Sequence, residues 1–237
     1  MGYLNTSLFI VALNMRVRHQ EHFYSQKIRI YPLVKRLAEF VFSIVLLMLL
    51  APLFLLLTLA IRLESPGPAL FRQIRIGKSG KSFTFYKFRS MYNDIDKSAH
   101  EAFMTAYVNG QVNESASEEA VFKPIQTNQI TRMGRFLRKT SLDEVPQLIN
   151  ILKGDMSFIG PRPNVPAEVT AYKDWHKKRL QVLPGITGWA QINGRSSIAF
   201  DQIVRYDIEY VENTGLMMDL KVLWYTVPAV LLGRGAK

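Results

Sequence analysis

Two adjacent carboxylates, Asp143 and Glu144, are the residues of this chain best suited to covalent chemistry. They begin an amphipathic pattern that predicts a helix over 143–153. Backbone N–H groups at the start of a helix attract phosphate, and a carboxylate attacks an anionic phosphate readily only where cations screen the repulsion. Arg138 precedes the pair, and Arg162 follows the helix. Two carboxylates, arginines and a magnesium ion would together suit phosphoryl transfer.

The same carboxylates also have a structural explanation. Ser141 and Glu144 match a capping box, and acidic residues in a first turn stabilise the helix dipole. If Asp143 is the cap instead, Pro146 falls in the first turn, where its missing N–H costs nothing. Either arrangement leaves both carboxylates at a helix N-terminus, so their spacing alone does not separate catalysis from capping.

Basic side chains that could bind phosphate lie beside glycine- and proline-rich turns. Arginine binds phosphate through paired hydrogen bonds, and the candidates are Lys87, Arg89, Arg138, Arg162 and Arg195. Each of them alone is also explained as a solvated surface charge or a lipid-headgroup contact. Other familiar sites are excluded, because the four histidines have no metal-ligand spacing and the chain has neither a complete P-loop nor a nucleophile elbow.

The elements that position these residues begin with an apolar segment near the N-terminus. From Phe40 to Ile61 there are 22 residues without a charge. A straight helix of that length spans about 33 Å, which is enough to cross a bilayer. The absence of a polar stripe disfavours a helix buried in a soluble core. The segment is therefore predicted to enter a membrane.

Basic residues flank the apolar segment on both sides, from Arg16 to Arg36 before it and from Arg62 to Arg89 after it. The positive-inside rule places both flanks on the cytoplasmic side, which a single crossing does not satisfy. Pro52 lies near the middle, where it removes a helix hydrogen bond and favours a kink. We therefore expect a re-entrant helical hairpin anchored from the cytoplasmic face, with a kinked ordinary span as the alternative.

The remaining patterns predict an α+β fold, with a mostly helical domain, one small β-hairpin and amphipathic helices at the membrane interface. Alternating apolar residues over 70–76 and 83–88, with a glycine-containing turn between them, predict the hairpin. A second helix is expected over 165–180. The apolar stretch 216–232 suits an interfacial helix, although a core helix explains it equally well.

Composition limits the classes of partner. The chain of 237 residues has no cysteine, which excludes disulfide scaffolds, zinc fingers and thiol catalysis. Its formal charge of +11 favours a polyanionic partner: nucleic acid, a phosphorylated metabolite or an anionic membrane. Acidic residues concentrate between 93 and 120, in a stretch that we expect to be a peripheral loop or helix without a catalytic role.

Several sequence blocks together resemble the bacterial sugar transferase family, the monotopic phosphoglycosyl transferases that begin exopolysaccharide, O-antigen and glycoprotein glycan assembly. The resemblance extends from about residue 35 to residue 233. Its blocks are Lys35-Arg36 followed by the proline-containing apolar segment, Ser65–Pro68 leading to Arg75–Gly77, Tyr86–Met91, Ser141–Glu144, Leu152–Pro163 and Pro184–Arg195. The chain departs from many members in having Ala51-Pro52, rather than Ser-Pro, at the expected helix break. It looks like a minimal form of the family.

The resemblance implies a two-step reaction. Asp143 would attack the β-phosphate of a UDP-sugar in the presence of Mg²⁺, release UMP and hold the sugar phosphate as an acyl phosphate. A polyprenyl phosphate, such as undecaprenyl phosphate, would then accept the sugar phosphate, with Glu144 managing the proton. Asp143 would also be a ligand of the metal. The substrate-binding residues implied are Lys87, Arg89, Arg138, Arg162, Gln191, Asn193 and Arg195.

We accordingly expect three parts: an N-terminal extension over 1–34, a re-entrant membrane helix-hairpin over 35–62, and a catalytic domain over 63–237. The catalytic domain would lie at the cytoplasmic face of the bacterial inner membrane. Its expected partners are a UDP-sugar, a polyprenyl phosphate, membrane lipids and downstream glycosyltransferases, without nucleic acid. The identity of the sugar and the oligomeric state, with a dimer as one option, stay open.

Two other functions compete with this interpretation. A membrane-tethered binding protein for nucleic acid or lipid headgroups would explain the charge and the apolar segment, but not the acidic pair at 143–144. An inactive scaffold in a polysaccharide assembly complex would leave the same pair without a purpose.

Overall fold

A computed structural model of the chain describes residues 3–92, 104–110, 129–194 and 198–231, with the side chains placed from residue 30 to residue 229 within those ranges. The chain divides into two compact units, Met1–Ala38 and Glu39–Lys237. Helix α1, Tyr3–Glu64, contributes to both. The expected boundaries at residues 34 and 62 stay a prediction. Most of the acidic stretch 93–120 lies outside the described residues.

Within the described residues, the second unit is mostly helical, as predicted for an α+β fold. Besides a helical stretch at 104–108, its helices after α1 are α2 (Arg132–Thr140), α3 (Gln147–Lys153), α4 (Pro166–Thr170), α5 (Trp189–Asn193), α6 (Phe200–Glu212) and α7 (Leu216–Leu231).

The predicted β-hairpin is confirmed. Strands β1 (Leu70–Ile76) and β2 (Ser82–Phe88) pair antiparallel along their whole length. The turn between them places Ser79 and Gly80 in the left-handed region, with φ of 58° and 76°. A glycine adopts this conformation at little cost, so the turn chemistry fits the tight reversal. The hairpin carries Lys87 and Arg89 at or just beyond its second strand.

The glycine- and proline-rich blocks, expected to be rigid turns, contain a second small sheet. Strand β3 (Ser157–Ile159) pairs in parallel with β4 (Gly185–Thr187). A Cβ atom on Gly185 would lie 2.1 Å from the backbone nitrogen of Gly160, so no larger residue fits there. Three-residue strands carry too little alternation to be recognised in a sequence.

The connection between β3 and β4 corrects the single helix expected over 165–180. It consists of α4 followed by a 3₁₀ segment, Asp174–Gln181. Lys173 lies between them with an extended backbone (ψ 158°), which interrupts the helix. Arg179 of the 3₁₀ segment is buried and pairs with Asp207 of α6 at 2.5 Å, so this connection is fixed to the helical core.

One face of α1 packs along the second unit from residue 46 to residue 61. Leu46, Leu47 and Leu50 contact the core around Phe85, and a second group contacts the core around Phe88; that group comprises Leu53, Phe54, Leu57 and Ile61. The spacing of three and four residues places all of these side chains on one stripe of a helix. The opposite stripe, which includes Met48 and Leu49, is exposed.

The helix is uninterrupted at Pro52. Because the packed stripe keeps its helical spacing on both sides of this proline, both arms of the apolar segment pack against the core of the second unit. Within the described residues, Ile30–Glu64 is the one helix long and apolar enough to cross a membrane, and most of its apolar window is exposed. The re-entrant path stays a prediction.

Helix α7 exposes apolar side chains rather than burying them. Met217 is 80% exposed and Trp224 is 77% exposed, while Val222 and Asp219 are buried against the domain. Of the two interpretations that the sequence left open, the exposed apolar surface favours an interfacial helix over a core helix. Together with the apolar stripe of α1, this surface suits contact with a membrane.

Candidate active site

Asp143 and Glu144 lie on a single 3₁₀ turn, Leu142–Glu144, that joins α2 to α3. Ser141 reverses the chain after α2 in the left-handed conformation, with φ of 57°. The helix predicted from residue 143 therefore begins later, at Gln147, with Pro146 as its N-cap residue. The capping box is wrong, because the Ser141 side chain makes no cap hydrogen bond. The structural explanation of the carboxylates thereby loses its main support.

Lys87 lies between the two carboxylates. Its Nζ atom is 3.1 Å from Asp143 Oδ2 and 3.4 Å from Glu144 Oε1. Asp143 is only 6% exposed, whereas Glu144 and Lys87 are partly exposed. A single ammonium group shared by two carboxylates reduces their mutual repulsion and leaves one negative charge at the site.

Arg138 of α2 adds a second cation near Asp143. Its Nε atom donates to Ser90 Oγ at 3.0 Å. Burial lowers the pKa of Arg138, and the Asp143 carboxylate opposes that shift. Helix α2 comes this close to the end of the hairpin because residue 134 is glycine: a Cβ there would lie 2.0 Å from the Ser90 carbonyl oxygen.

A small cleft adjoins Glu144. Apolar and polar groups share its lining, which includes Arg75, Phe85, Glu144, Gln147, Arg162 and Gln191. Burial, and then the nearby Arg162, lower the pKa of Arg75 to about 10, while Glu168 and Glu144 act in the opposite direction. Two arginines, Arg75 and Arg162, therefore line the same cleft as Glu144.

The two carboxylates also fit a magnesium ion by the chemistry of their oxygen atoms. Mg²⁺ in proteins is often held by one or two carboxylates together with water and substrate phosphates. Within the described residues, the chain provides no cluster of three or more acidic or histidine side chains for a metal. A magnesium site here would therefore rely on Asp143 and the phosphates of a substrate, with Glu144 beside it.

A protein-family model described as bacterial sugar transferase matches residues 30–233, which are most of the chain. The chain belongs to the bacterial sugar transferase family. It is therefore a transferase, and the family resemblance found in its sequence blocks is confirmed.

Three relatives of this sugar transferase illustrate the match. The galactosyl transferase CpsE of Streptococcus agalactiae is 39% identical over 217 residues, which are 90% of this chain and 46% of the relative. The exopolysaccharide production protein ExoY of Rhizobium meliloti is 38% identical over 206 residues, or 86% and 88% of the two chains. The UDP-glucose:undecaprenyl-phosphate glucose-1-phosphate transferase of Escherichia coli is 37% identical over 204 residues, or 82% and 39%. The chain thus spans less than half of two relatives and most of the third.

In this sugar transferase, Arg89 has a structural place, and its role in substrate binding stays a prediction. It is 5% exposed, and its guanidinium group donates to the carbonyl oxygens of Ser65 and Pro66 at 2.7 Å each and to Ser65 Oγ at 2.9 Å. A longer bond reaches the Ile61 carbonyl at 3.4 Å. Arg89 therefore satisfies the polar groups at the end of α1 and fixes that helix to the hairpin.

The other predicted binding residues are divided between the cleft and its surroundings. Gln191 lines the cleft and donates to the Ile186 carbonyl at 2.9 Å. Asn193 is exposed and donates to the Trp189 carbonyl one helical turn back, outside the cleft lining. Arg195 lies outside the described residues. The structure thus brings together Lys87, Arg138, Arg162 and Gln191 around the acidic pair, and their contact with a substrate stays a prediction.

Sequence reasoning missed two residues that shape the site. Asn150 is fully buried, donates to the Thr84 carbonyl at 2.6 Å and accepts from the Tyr86 backbone N–H at 3.1 Å, so it joins α3 to β2. Its signal was a polar side chain inside an otherwise apolar helix. Arg75 belongs to one of the blocks that carry the family resemblance, but an arginine in a strand with alternating exposure is common and gave no reason to place it at the site.

Proposed function

We propose that this sugar transferase moves a sugar-1-phosphate from a UDP-sugar to undecaprenyl phosphate, releasing UMP and leaving the sugar on undecaprenyl diphosphate. The observation that carries the proposal is the buried Asp143 carboxylate held 3.1 Å from Lys87, with Glu144 beside it. A UDP-sugar and undecaprenyl phosphate are the substrates in the name of the E. coli relative. The names of the relatives include both glucose and galactose, so the sugar is left open.

In the first step, an oxygen of Asp143 attacks the β-phosphorus of the donor. The new bond joins the carboxylate oxygen to phosphorus, and the bond between the β-phosphorus and the bridging oxygen breaks. The bridging oxygen leaves on UMP with the electron pair. Lys87 and Arg138 lower the repulsion between the carboxylate and the anionic phosphate, which is what makes a carboxylate an effective nucleophile here.

In the second step, a phosphate oxygen of undecaprenyl phosphate attacks the same phosphorus and releases the Asp143 carboxylate. Glu144 accepts the proton of the acceptor if that phosphate arrives protonated. The covalent intermediate divides one difficult displacement into two easier ones. It also allows a water-soluble donor and a lipid acceptor to use one site in turn.

The site would hold Mg²⁺ through Asp143, completed by phosphate oxygens of the donor. The ion, when bound, neutralises charge on the diphosphate and orients it. The residues of the chain itself supply the nucleophile, the proton acceptor and the fixed cations.

The exposed apolar surfaces of α1 and α7 suggest how the lipid substrate reaches the site. A protein held at the headgroup level by these helices would meet the phosphate of undecaprenyl phosphate at the same depth. The basic residues on both sides of the apolar segment favour the cytoplasmic face of the bacterial inner membrane. The product would then serve downstream glycosyltransferases in exopolysaccharide or lipopolysaccharide assembly.

The proposal is tested by UMP release from a panel of UDP-sugars. The detergent-solubilised full chain is assayed with magnesium and undecaprenyl phosphate, beside Asp143→Asn, Glu144→Gln and the exposed control Asp174→Asn. We expect donor-dependent UMP release that is lost in Asp143→Asn, reduced in Glu144→Gln and unchanged in Asp174→Asn. Mass spectrometry of the enzyme with donor alone is expected to detect the sugar phosphate on Asp143.

Two results would contradict the proposal in different ways. Full activity of folded Asp143→Asn would reject the covalent mechanism and keep the transferase. No UMP from any donor with folded wild-type protein would reject the UDP-sugar reaction itself.

A further inference from the structure

Arg75 on β1 is held in place by contacts that leave one of its donors unused. Its Nη1 atom donates to the Pro163 carbonyl at 2.9 Å, and Nη2 donates to Gln73 Oε1 at 2.7 Å. The guanidinium carbon lies 5.3 Å from the centre of the Phe85 ring. Its Nε atom is buried and has no hydrogen-bond partner among the described residues. A buried N–H group without a partner is costly unless water or a ligand satisfies it.

The charge of Arg75 is also incompletely balanced. Arg162 faces the same cleft, and neither guanidinium makes an ion pair within the described part of the chain. Glu144 is the acidic residue of the cleft lining, and Lys87 already contacts its carboxylate. Burial and Arg162 disfavour the charged form of Arg75 and outweigh the opposing effects of Glu168 and Glu144, since the pKa of Arg75 falls to about 10. An anion in the cleft would remove this imbalance.

The two arginines are held as a pair by the backbone that carries Arg162. Arg75 donates to the Pro163 carbonyl, and the buried Arg179 donates to the carbonyl of Arg162 itself at 3.2 Å. The turn from Gly160 to Pro163 is therefore fixed from two sides. The Arg75 guanidinium is thereby preorganised beside the exposed side chain of Arg162. Guanidinium groups are a recurrent solution for binding a phosphate group.

We infer that Arg75 and Arg162 form a second phosphate subsite beside Glu144, in addition to the cations at Asp143. The assignment to a reactant rests on the proposed function, in which the donor has two linked phosphates and the acceptor has one. When Asp143 attacks the β-phosphorus, the neighbouring phosphate is the one that leaves on UMP. Arginines at that position stabilise the charge that develops on the departing oxygen.

The subsite is tested by the binding of UMP and of uridine to the detergent-solubilised full chain, measured by calorimetry. The variants are Arg75→Gln, Arg75→Lys and Arg162→Gln, and the control is Arg72→Gln, an exposed arginine on the same strand. We expect Arg75→Gln and Arg162→Gln to weaken UMP about 10- to 100-fold, as for a lost hydrogen bond to a charged group. Arg75→Lys should lose less affinity for UMP than Arg75→Gln, and Arg72→Gln should bind UMP as the wild type does.

Uridine separates a phosphate subsite from a structural effect, because it has no phosphate. A variant that merely deforms the cleft weakens the binding of uridine and the binding of UMP by the same factor, and that result would overturn the inference. Arg162→Gln keeps the hydrogen bonds of Arg75, so the test does not depend on one variant folding well. Melting temperatures accompany each binding measurement.

A parallel measurement of the KM for undecaprenyl phosphate distinguishes the two sources of phosphate. If a variant loses affinity for UMP and keeps the KM for undecaprenyl phosphate, the subsite belongs to the donor. If only the KM for undecaprenyl phosphate rises, the subsite belongs to the acceptor. Unchanged values for both, or wild-type protein that binds UMP no better than uridine, would overturn the subsite. UMP binding needs no turnover, so the inference fails or survives separately from the proposed reaction.

Discussion

At the scale of single residues, Lys87 organises the chemistry of the site. It is the group that contacts both carboxylates, and it lies on a strand fixed by the hairpin register. Removing its charge leaves Asp143 and Glu144 side by side with less compensation, and it also removes a cation that would meet the incoming phosphate.

We therefore expect Lys87→Met to reduce the rate of UMP release by about 10²–10³, the cost of losing one preorganised charge in an active site. Lys87→Arg should keep part of the rate of UMP release, because the positive charge remains but the planar guanidinium group has a different shape from the lysine ammonium group. Lys81→Met, an exposed lysine in the hairpin turn, is the matched control. A Lys87→Met enzyme with the wild-type rate would exclude this role.

His176 is a fully buried residue that the proposed reaction does not use. Its Nδ1 atom accepts from the Lys173 backbone N–H at 3.3 Å, and its Nε2 atom lies 3.1 Å from Asp201 Oδ1. These partners suit a neutral ring that donates from Nε2. Burial lowers the pKa of His176, and Asp201 opposes the shift.

Because the pKa of His176 is lower in the folded than in the unfolded chain, the unfolded chain binds the proton more readily. The contribution of His176 to the free energy of unfolding should therefore fall as the pH drops below the ordinary histidine value of about 6.5, by at most about 1.4 kcal/mol per pH unit. Burial raises the pKa of Asp207 to about 6 and acts in the opposite direction, so the difference between the wild type and a His176 variant is what isolates this contribution. Thermal unfolding between pH 8 and pH 5 measures this, with His176→Gln as the comparison. Parallel pH profiles for the two proteins would show that His176 does not contribute.

The sequence could predict the acidic pair and Lys87 because they belong to recognisable blocks. It could not predict the contacts of Arg89 with the end of α1, because the sequence does not distinguish an arginine that binds phosphate from one that binds the end of a helix. Arg75, although part of a recognised block, was not assigned to the site, because burial and an unused donor are properties of the folded chain.

At the scale of elements, the apolar part of α1 is fixed at both ends to segments that carry the site. Glu39 accepts from Ser157 Oγ at 2.5 Å and from the Phe158 backbone N–H at 3.1 Å, at the start of β3. Glu64 accepts from the backbone N–H groups of Arg132 and Met133 at 2.6 and 2.8 Å, at the start of α2. The membrane helix thus determines where the two segments leading to Arg162 and Asp143 begin.

Glu39→Leu should therefore lower both the melting temperature and the rate of UMP release, since a lost acceptor leaves buried donors that cost about 1–3 kcal/mol. Glu39→Gln keeps an acceptor oxygen and should recover much of both. Glu212→Leu, at an exposed acidic residue of α6, provides the control. Wild-type stability and rate in Glu39→Leu would contradict this coupling.

Sequence patterns predicted those elements whose periodicity is long enough to recognise. The hairpin was predicted because seven-residue strands alternate clearly, and the apolar segment because 22 consecutive uncharged, mostly apolar residues are typical of membrane helices. The start of α3 was misplaced because Ser141, in a left-handed conformation, ends one helix where the pattern suggested the cap of the next. The β3–β4 pair depends on contact between distant glycines, which no local pattern records.

At the scale of the whole molecule, α7 provides a second apolar surface besides α1. Its exposed side chains include Leu220, Leu223, Trp224 and Val227. A soluble protein rarely leaves such a group uncovered, and tryptophan in particular suits the boundary between headgroups and acyl chains.

We expect Trp224 to contact lipid in the bilayer-bound enzyme. A variant that keeps Trp224 and carries Trp175→Phe and Trp189→Phe is placed in nanodiscs whose acyl chains carry bromine. Its fluorescence should be strongly quenched, whereas a variant that keeps only Trp175, a partly buried residue of the catalytic core, should be quenched weakly. Equal quenching of the two tryptophans would place α7 away from the bilayer.

The hydrogen bonds of Asn150 have a consequence for the behaviour of many molecules together. A lone two-stranded hairpin is marginally stable, and its open edge is a template for pairing with a strand of another chain. The Asn150 amide binds the N–H of Tyr86 and the carbonyl of Thr84, which are groups of that edge. A side chain on a helix thus takes the place of a neighbouring strand, and it protects an enzyme concentrated on a membrane surface from edge-to-edge aggregation.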